Sequence, residues 1–189
     1  MTERTIAILE KLVSFDTTSR NSNLELIDWV EAELAAQGLS SVRTYDDAGV
    51  KANLLTTIGP TEAPGFVLSG HTDVVPVDGQ AWTSDPFRLT RRGDRLYGRG
   101  ACDMKGFLAS CLAGVPRMLE RPLARPIHIA FSYDEEVGCL GVPRLIARMG
   151  EAGLAPAACF VGEPTSMQVV VAHKTKVSYR VVVTGKSVH

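Results

Sequence analysis

Apolar residues recur along this chain in two rhythms. Near the start, Ile6, Leu9, Leu12 and Val13 share one face at helical spacing, and Leu24, Ile27, Val30 and Leu34 repeat the pattern. The spacing predicts two helices, the second capped by Asn23 and closed at Gly38. Residues 42–45 and 53–58 read as strands, with Gly59 and Pro60 as a break. Residues 66–68 are continuously apolar, as in a central strand covered on both faces. Two short strands at 88–90 and 95–97 pair across a turn at Arg92, Gly93 and Asp94.

Further on, Phe107, Leu108, Cys111, Leu112 and Val115 mark a helix that Pro116 ends or kinks. A strand over 127–133, a helix over 142–149 and a strand over 159–161 follow. Strands alternating with helices indicate an α/β fold, and such sheets bind ligands beyond the carboxyl ends of their strands. After Pro164 the pattern becomes β-rich over 168–172 and 177–183, with a turn at Thr184, Gly185 and Lys186. Residues 1–174 are therefore expected to form one domain, and 175–189 to begin a second.

Composition narrows the function classes. A net charge of -1 over 189 residues supplies no field for nucleic acid or an anionic membrane. The apolar runs are shorter than the roughly 20 residues of a membrane span. The segment from Thr5 to Phe15 carries charges inside it, unlike a secretory signal. Cys102, Cys111, Cys139 and Cys159 lack metal-site spacing and are expected as reduced, mostly buried thiols of a cytoplasmic protein.

The chemistry gathers at strand ends. His71 closes one apolar run, Glu135 and Glu136 follow another, and Glu163 follows a third. Asp103 sits in a glycine-rich loop before a helix. Each has an ordinary alternative: a strand-end imidazole, a solvated acidic turn, an isolated acid, or a helix N-cap for Asp103. Together they are one imidazole and several hard carboxylate donors, each delivered by a separate element, as a divalent metal site requires. Asp73, two residues after His71, is placed to receive the second ring N–H. Neighbours on an extended segment point apart, so Glu135 and Glu136 are expected to divide the work of base and ligand. The number of donors favours two ions, an arrangement that activates water and polarises a carbonyl.

Other readings fall away. Thr184, Gly185, Lys186 and Ser187 resemble a P-loop tail, but Arg180 stands where glycine is needed. Gly98 and Gly100 lack the third glycine of a dinucleotide fingerprint, and no G-x-S-x-G elbow is present. His128 alternates with Ile127 and Ile129 and is read as structural; Cys102 and Lys105 are read as packing and surface residues. His173 is compatible with a hinge.

Four segments carry a family resemblance: residues 69–77 around His71, 97–106 around Asp103, 134–136 and 162–165. They are similar to the M20 metallopeptidase and deacylase family, along nearly the whole chain. Residues 77–82, 100–107 and 162–167 resemble its acetylornithine deacetylase branch more than its succinyl-diaminopimelate desuccinylase branch. The resemblance implies a zinc-exopeptidase-like catalytic domain with a mixed, mostly parallel sheet flanked by helices, followed by the start of an α+β lid and dimerisation domain. It implies hydrolysis of an acyl amino acid, with N2-acetyl-L-ornithine of arginine biosynthesis as the first candidate. Another M20 deacylase or peptidase activity, or metal binding without catalysis, is the alternative.

The resemblance further implies two zinc ions, with cobalt or manganese tolerated. His71 and Glu163 would hold one, Glu136 the other, and Asp103 would bridge. Glu135 would be general base and then acid, Asp73 would orient His71, and the Asp103–Met104 peptide would be cis. His189 resembles a lid histidine that reaches a partner's site in a homodimer. The family's second zinc takes a later histidine that has no counterpart here, so the sequence is expected to be a fragment, inactive alone.

Overall fold

The computed structural model describes residues 1–172, 177 and 179–186. The first helical rhythm becomes α1, Glu3–Val13, opened by Thr2, whose hydroxyl accepts the Thr5 N–H at 3.1 Å. Its buried face is Thr5, Ile8, Leu9, Leu12 and Val13, so Ile8 rather than Ile6 faces the core. The second becomes α2, Leu24–Ala35, burying Leu26, Ile27, Val30 and Leu34.

Asn23 stands at the N-cap of α2 but makes no side-chain cap bond. Its amide instead donates to the Ala52 carbonyl and the Thr72 hydroxyl, and its oxygen accepts the Ala52 N–H. Tertiary pairing with two strands outcompetes the local cap, because those backbone groups are buried and need partners.

Among the described residues, seven strands follow the predicted order: β1 Ser41–Tyr45, β2 Ala52–Ile58, β3 Phe66–His71, β4 Thr90–Arg92, β5 Arg95–Tyr97, β6 Ile127–Ser132 and β7 Ala158–Val161. The helices between them are α3, Lys105–Leu119, and α4, Val142–Glu151. Pro116 does not end α3, which runs on to Leu119. The main sheet has the order β1-β2-β6-β3-β7. β1 and β2 pair antiparallel, as do β2 and β6; β6, β3 and β7 are parallel. β4 and β5 form a separate hairpin.

Alternation along the strands splits the core in two. Leu54, Ile58, Ile129 and Phe131 face α1, α2 and α3, and pack with Leu9, Leu12, Ile27 and Leu112. Leu55, Val67 and Ala130 face the other way, toward Leu145 and Met149 of α4. This double covering matches the apolar character of the central strands. It also fixes register, because a one-residue slip would exchange the two faces.

Two expectations fail for one reason. Residues 168–172 form no strand, nor do the described residues between 177 and 183. Val169 and Val171 are 90% and 93% exposed. Branched residues favour strands only where a neighbour completes the ladder, and no strand pairs with them among the described residues. The cysteines also differ from expectation: Cys102, Cys139 and Cys159 are exposed, and Cys111 is buried. Among the described residues, no helix is long and apolar enough to cross a membrane.

Candidate metal centre

Because β6, β3 and β7 run in parallel, their carboxyl ends share one edge of the sheet. β3 ends at His71, and the turns after β6 and β7 carry Glu135, Glu136 and Glu163 toward it. Asp103 arrives from the loop before α3. The His71 ring is the buried centre, with its side chain 1% exposed. Its Nε2 lies 3.0 Å from Asp103 Oδ1, 3.7 Å from Glu163 Oε1 and 3.9 Å from Glu135 Oε2. The Asp103–Met104 peptide is cis, as the resemblance implied.

Two donor sets share this imidazole. His71, Glu135 and Glu163 form one; His71, Asp103 and Glu136 form the other. Within each set the ligand atoms lie within 4.8 Å of one another. All four expected ligands are therefore brought together with the expected base. The chemistry of the donors fits a divalent ion, since carboxylates and one imidazole suit zinc, cobalt or manganese.

Electrostatics points the same way. Burial, and then the charges of Asp103 and Glu135, raises the Glu136 carboxyl above its ordinary value, against the pull of His71. Glu163 is raised by burial and by Asp103, Glu135 and Glu136, again against His71. Burial opposes charge on His71, but Asp73, Glu163 and Asp103 outweigh it and hold the imidazole up at about 9. Acids that repel one another around a buried ring are relieved by a cation.

Asp73 orients the centre by a longer route than the tripeptide suggests. The His71 Nδ1–H donates to the main-chain carbonyl of Asp73 at 2.9 Å, while the Asp73 carboxylate stands 3.5 Å away. This contact fixes the tautomer and leaves Nε2 to face the acids. The carboxylate accepts the Ser19 hydroxyl at 2.6 Å, the Glu135 N–H at 3.0 Å and the Glu136 N–H at 3.3 Å. Burial opposes its charge, but these bonds and His71 lower its pKa. One buried carboxylate thus holds the histidine loop and the diacid turn together.

Asp134 has a different task from its two neighbours. It turns the chain with φ 55° and pairs with Lys51 at 2.5 Å, away from the donor sets. The same ammonium donates to the Ser19 carbonyl. Past the diacid, Cys139 donates its thiol to Glu135 Oε1 at 3.5 Å. A cavity of about 820 Å³ beside the centre is lined by His71, Glu135 and Glu163 together with apolar Leu145, Met149 and Leu154.

Lys105 is the residue that local pattern misplaced. It is fully buried, not on the surface, and its Nζ donates to the carbonyls of Leu12 at 2.9 Å and Phe15 at 2.8 Å. Burial pushes the ammonium down to about 7, against the charges of Asp16 and Asp73. A neutral amine still offers two N–H groups, one for each carbonyl. His128 is buried and meets the Thr57 hydroxyl at 2.9 Å, in keeping with a structural role. His173 and His189 lie outside the described residues.

Comparison with known proteins agrees with this geometry. Residues 67–188 match the sequence profile of Peptidase family M20/M25/M40. An acetylornithine deacetylase from Myxococcus xanthus is 43% identical over 189 residues, covering 97% of this chain and 48% of its own length. One from Yersinia pestis is 36% identical over 191 residues, covering 98% of this chain and 48% of its own. This chain thus spans about half the length of those curated relatives. Among solved structures, human carnosine dipeptidase 1 shares the fold with a TM-score of 0.70 at 22% identity, over 83% of this chain and 38% of its own. The M20 family metallo-carboxypeptidase Sso-CP2 from Sulfolobus solfataricus gives 0.73 at 22% identity, over 86% of this chain and 37% of its own.

Proposed function

Because the chain belongs to Peptidase family M20/M25/M40, we propose that it is the larger part of the catalytic domain of a metal-dependent amide hydrolase acting on N2-acetyl-L-ornithine. The observation that carries the reading is the convergence of His71 with Asp103, Glu135, Glu136 and Glu163. The one free lone pair of His71, on Nε2, serves a single ion, and the carboxylates around it supply donors for a second beside it. When bound, such ions lower the pKa of water toward about 7 and polarise a carbonyl. His71 and Glu163 would hold one ion, Glu136 the other, and Asp103 would lie between them.

Glu135 is the proton carrier in this reading. Its Oε2 is 3.9 Å from His71 Nε2, at the centre but not in its tightest contact. There it takes a proton from the attacking water and returns it to the leaving amine. The Asp73 carboxylate holds the Glu135 and Glu136 N–H groups, so base and ligand are presented from one fixed turn. The cavity beside them offers apolar wall for a substrate's carbon chain.

Acetylornithine as substrate is supported by deacetylase relatives at 36–43% identity. The whole protein is proposed as a cytoplasmic homodimer on acyl amino acids, with His189 completing the partner's site.

The test is ornithine release by the full-length protein, compared with N-succinyl-diaminopimelate and a dipeptide panel, with and without a chelator. Preference for acetylornithine, abolished by chelation and restored by zinc, is expected. A preference for another member of the panel would move the substrate but keep the metal chemistry. Unchanged turnover after exhaustive chelation would remove the metal chemistry itself.

A further inference from the structure

Helix α1 leaves its last carbonyls without intrahelical partners, as every helix does, and carries partial negative charge there. An amine that donates to the Leu12 carbonyl at this end, and to the Phe15 carbonyl just beyond the helix, comes from Lys105, 93 and 90 residues away in sequence. Lys105 is also the first residue of α3 and stands two positions after Asp103. Its own N–H donates to the Gly100 carbonyl at 2.8 Å, which closes the loop that carries Asp103. Gly100 has φ +77°, and a Cβ there would come within 2.6 Å of Val74 Cγ1 and 3.2 Å of Lys105 Cδ. The loop therefore has little room to shift against the lysine stem.

The segment that Lys105 grips is not a bystander. Beyond Phe15, the Thr17 carbonyl accepts the Val74 N–H and the Val74 carbonyl accepts the Ser19 N–H, each at 3.1 Å. The Thr17 hydroxyl donates to the Thr72 carbonyl at 2.6 Å, and the Ser19 hydroxyl donates to Asp73. The strap over residues 12–19 is thus bonded to the loop after His71 at its far end, through Thr17 and Ser19. Through Asp73 it reaches the backbone of Glu135 and Glu136. One side chain joins the Asp103 loop to this strap.

We propose that Lys105 is a positioning residue, whose buried amine locks the Asp103 loop to the strap that holds Asp73 through Ser19 and so sets where the Asp103 carboxylate meets His71. Burying an amine is unfavourable unless its hydrogen bonds are well made. A leucine or methionine would fill the same space between α1 and α3 without that burden. Simple packing does not account for an amine here; two fixed carbonyls on the strap do. The inference rests on the metal reading proposed above and goes beyond it, since Lys105 touches neither ion nor substrate.

Zinc titration of the metal-free, full-length protein tests it with Lys105→Met and Lys105→Arg. Wild type is expected to take two equivalents. Because Asp103 would lie between the two ions, Lys105→Met should weaken both equivalents, at least one of them by about tenfold or more, in the range seen when outer contacts to ligands are lost. Lys105→Arg, which keeps donors, should recover part of that loss. A folded Lys105→Met protein that binds both equivalents as wild type does would overturn the proposal. Wild type that takes up no zinc would instead strike the metal reading.

If Lys105→Met does not fold, amide exchange on wild type decides. Adding zinc should slow exchange in residues 100–106 and in residues 12–19 together. Protection confined to 100–106 would show that the amine transmits nothing.

Discussion

Asp73 Oδ1 accepts the main-chain N–H of Glu135 at 3.0 Å, so the loop after β3 and the turn after β6 are fastened through one buried carboxylate. Replacing Asp73 with alanine strands the Ser19 hydroxyl and the N–H groups of Glu135 and Glu136. Unsatisfied buried groups destabilise by about 1–3 kcal/mol in such cases. The melting temperature should fall by roughly 2–4 °C per kcal/mol for a chain of this size. Metal affinity should fall by about 10–100-fold. Thermal denaturation and zinc titration check the two effects separately.

Glu135→Gln keeps size and a carbonyl acceptor but removes the base. In the full-length protein, turnover should drop by about 10²–10⁴-fold while both zinc equivalents remain. Metal analysis alongside kinetics is needed, because Glu135 also lies in the donor set with His71 and Glu163. Loss of one equivalent in this variant would make Glu135 a ligand rather than the base.

The raised pKa of His71, about 9, makes metal binding proton-linked. Between the ordinary value of 6.5 and about 9 the metal-free ring is protonated on Nε2, and an ion must displace that proton. Zinc binding at pH 7–8 should release about one proton from this ring. The apparent affinity should rise as pH increases and level off above about 9. Calorimetry in buffers of different ionisation enthalpy reads the proton count. A count of zero would show that the ring is already neutral.

Gly162 precedes Glu163, and its backbone passes directly over the Phe107 ring. A Cβ at this position would lie 2.0 Å from Phe107 Cγ. Gly162→Ala should therefore push Glu163 away from the centre and destabilise the fold by about 1–3 kcal/mol. Zinc titration should show one weakened equivalent, the one that depends on Glu163. Phe107→Leu in the same background should relieve the clash and restore part of the affinity.

Much of this was legible in the sequence because it is local. Periodicity located every helix and all seven strands to within a few residues, and strand-end acids pointed to the centre. What it missed depends on distant partners. Lys105 in a glycine-rich loop looks like a surface residue, since its acceptors, on Leu12 of α1 and Phe15 just beyond it, lie 90 or more residues away in sequence. Asn23 has the residue type of a cap, yet the strand at Ala52 claims its amide. Asn53 drew no notice, but its fully buried amide donates to the Thr44 hydroxyl and Gly141 carbonyl, and its oxygen accepts the Tyr133 N–H. The residues after Pro164 failed in the opposite sense: valines with strand propensity found no ladder among the described residues.

The central position of β3 between β6 and β7 has a consequence for how this protein matures. Among the described residues, each donor set draws its side chains from separate segments, which become neighbours when β3, β6 and β7 lie side by side and the loop before α3 packs beside them. Peptides cut from around His71 or Glu163 should therefore be poor zinc binders. Tight uptake of the ion would announce that the sheet has assembled, which makes metal capture a reporter of folding in a nascent or refolding chain.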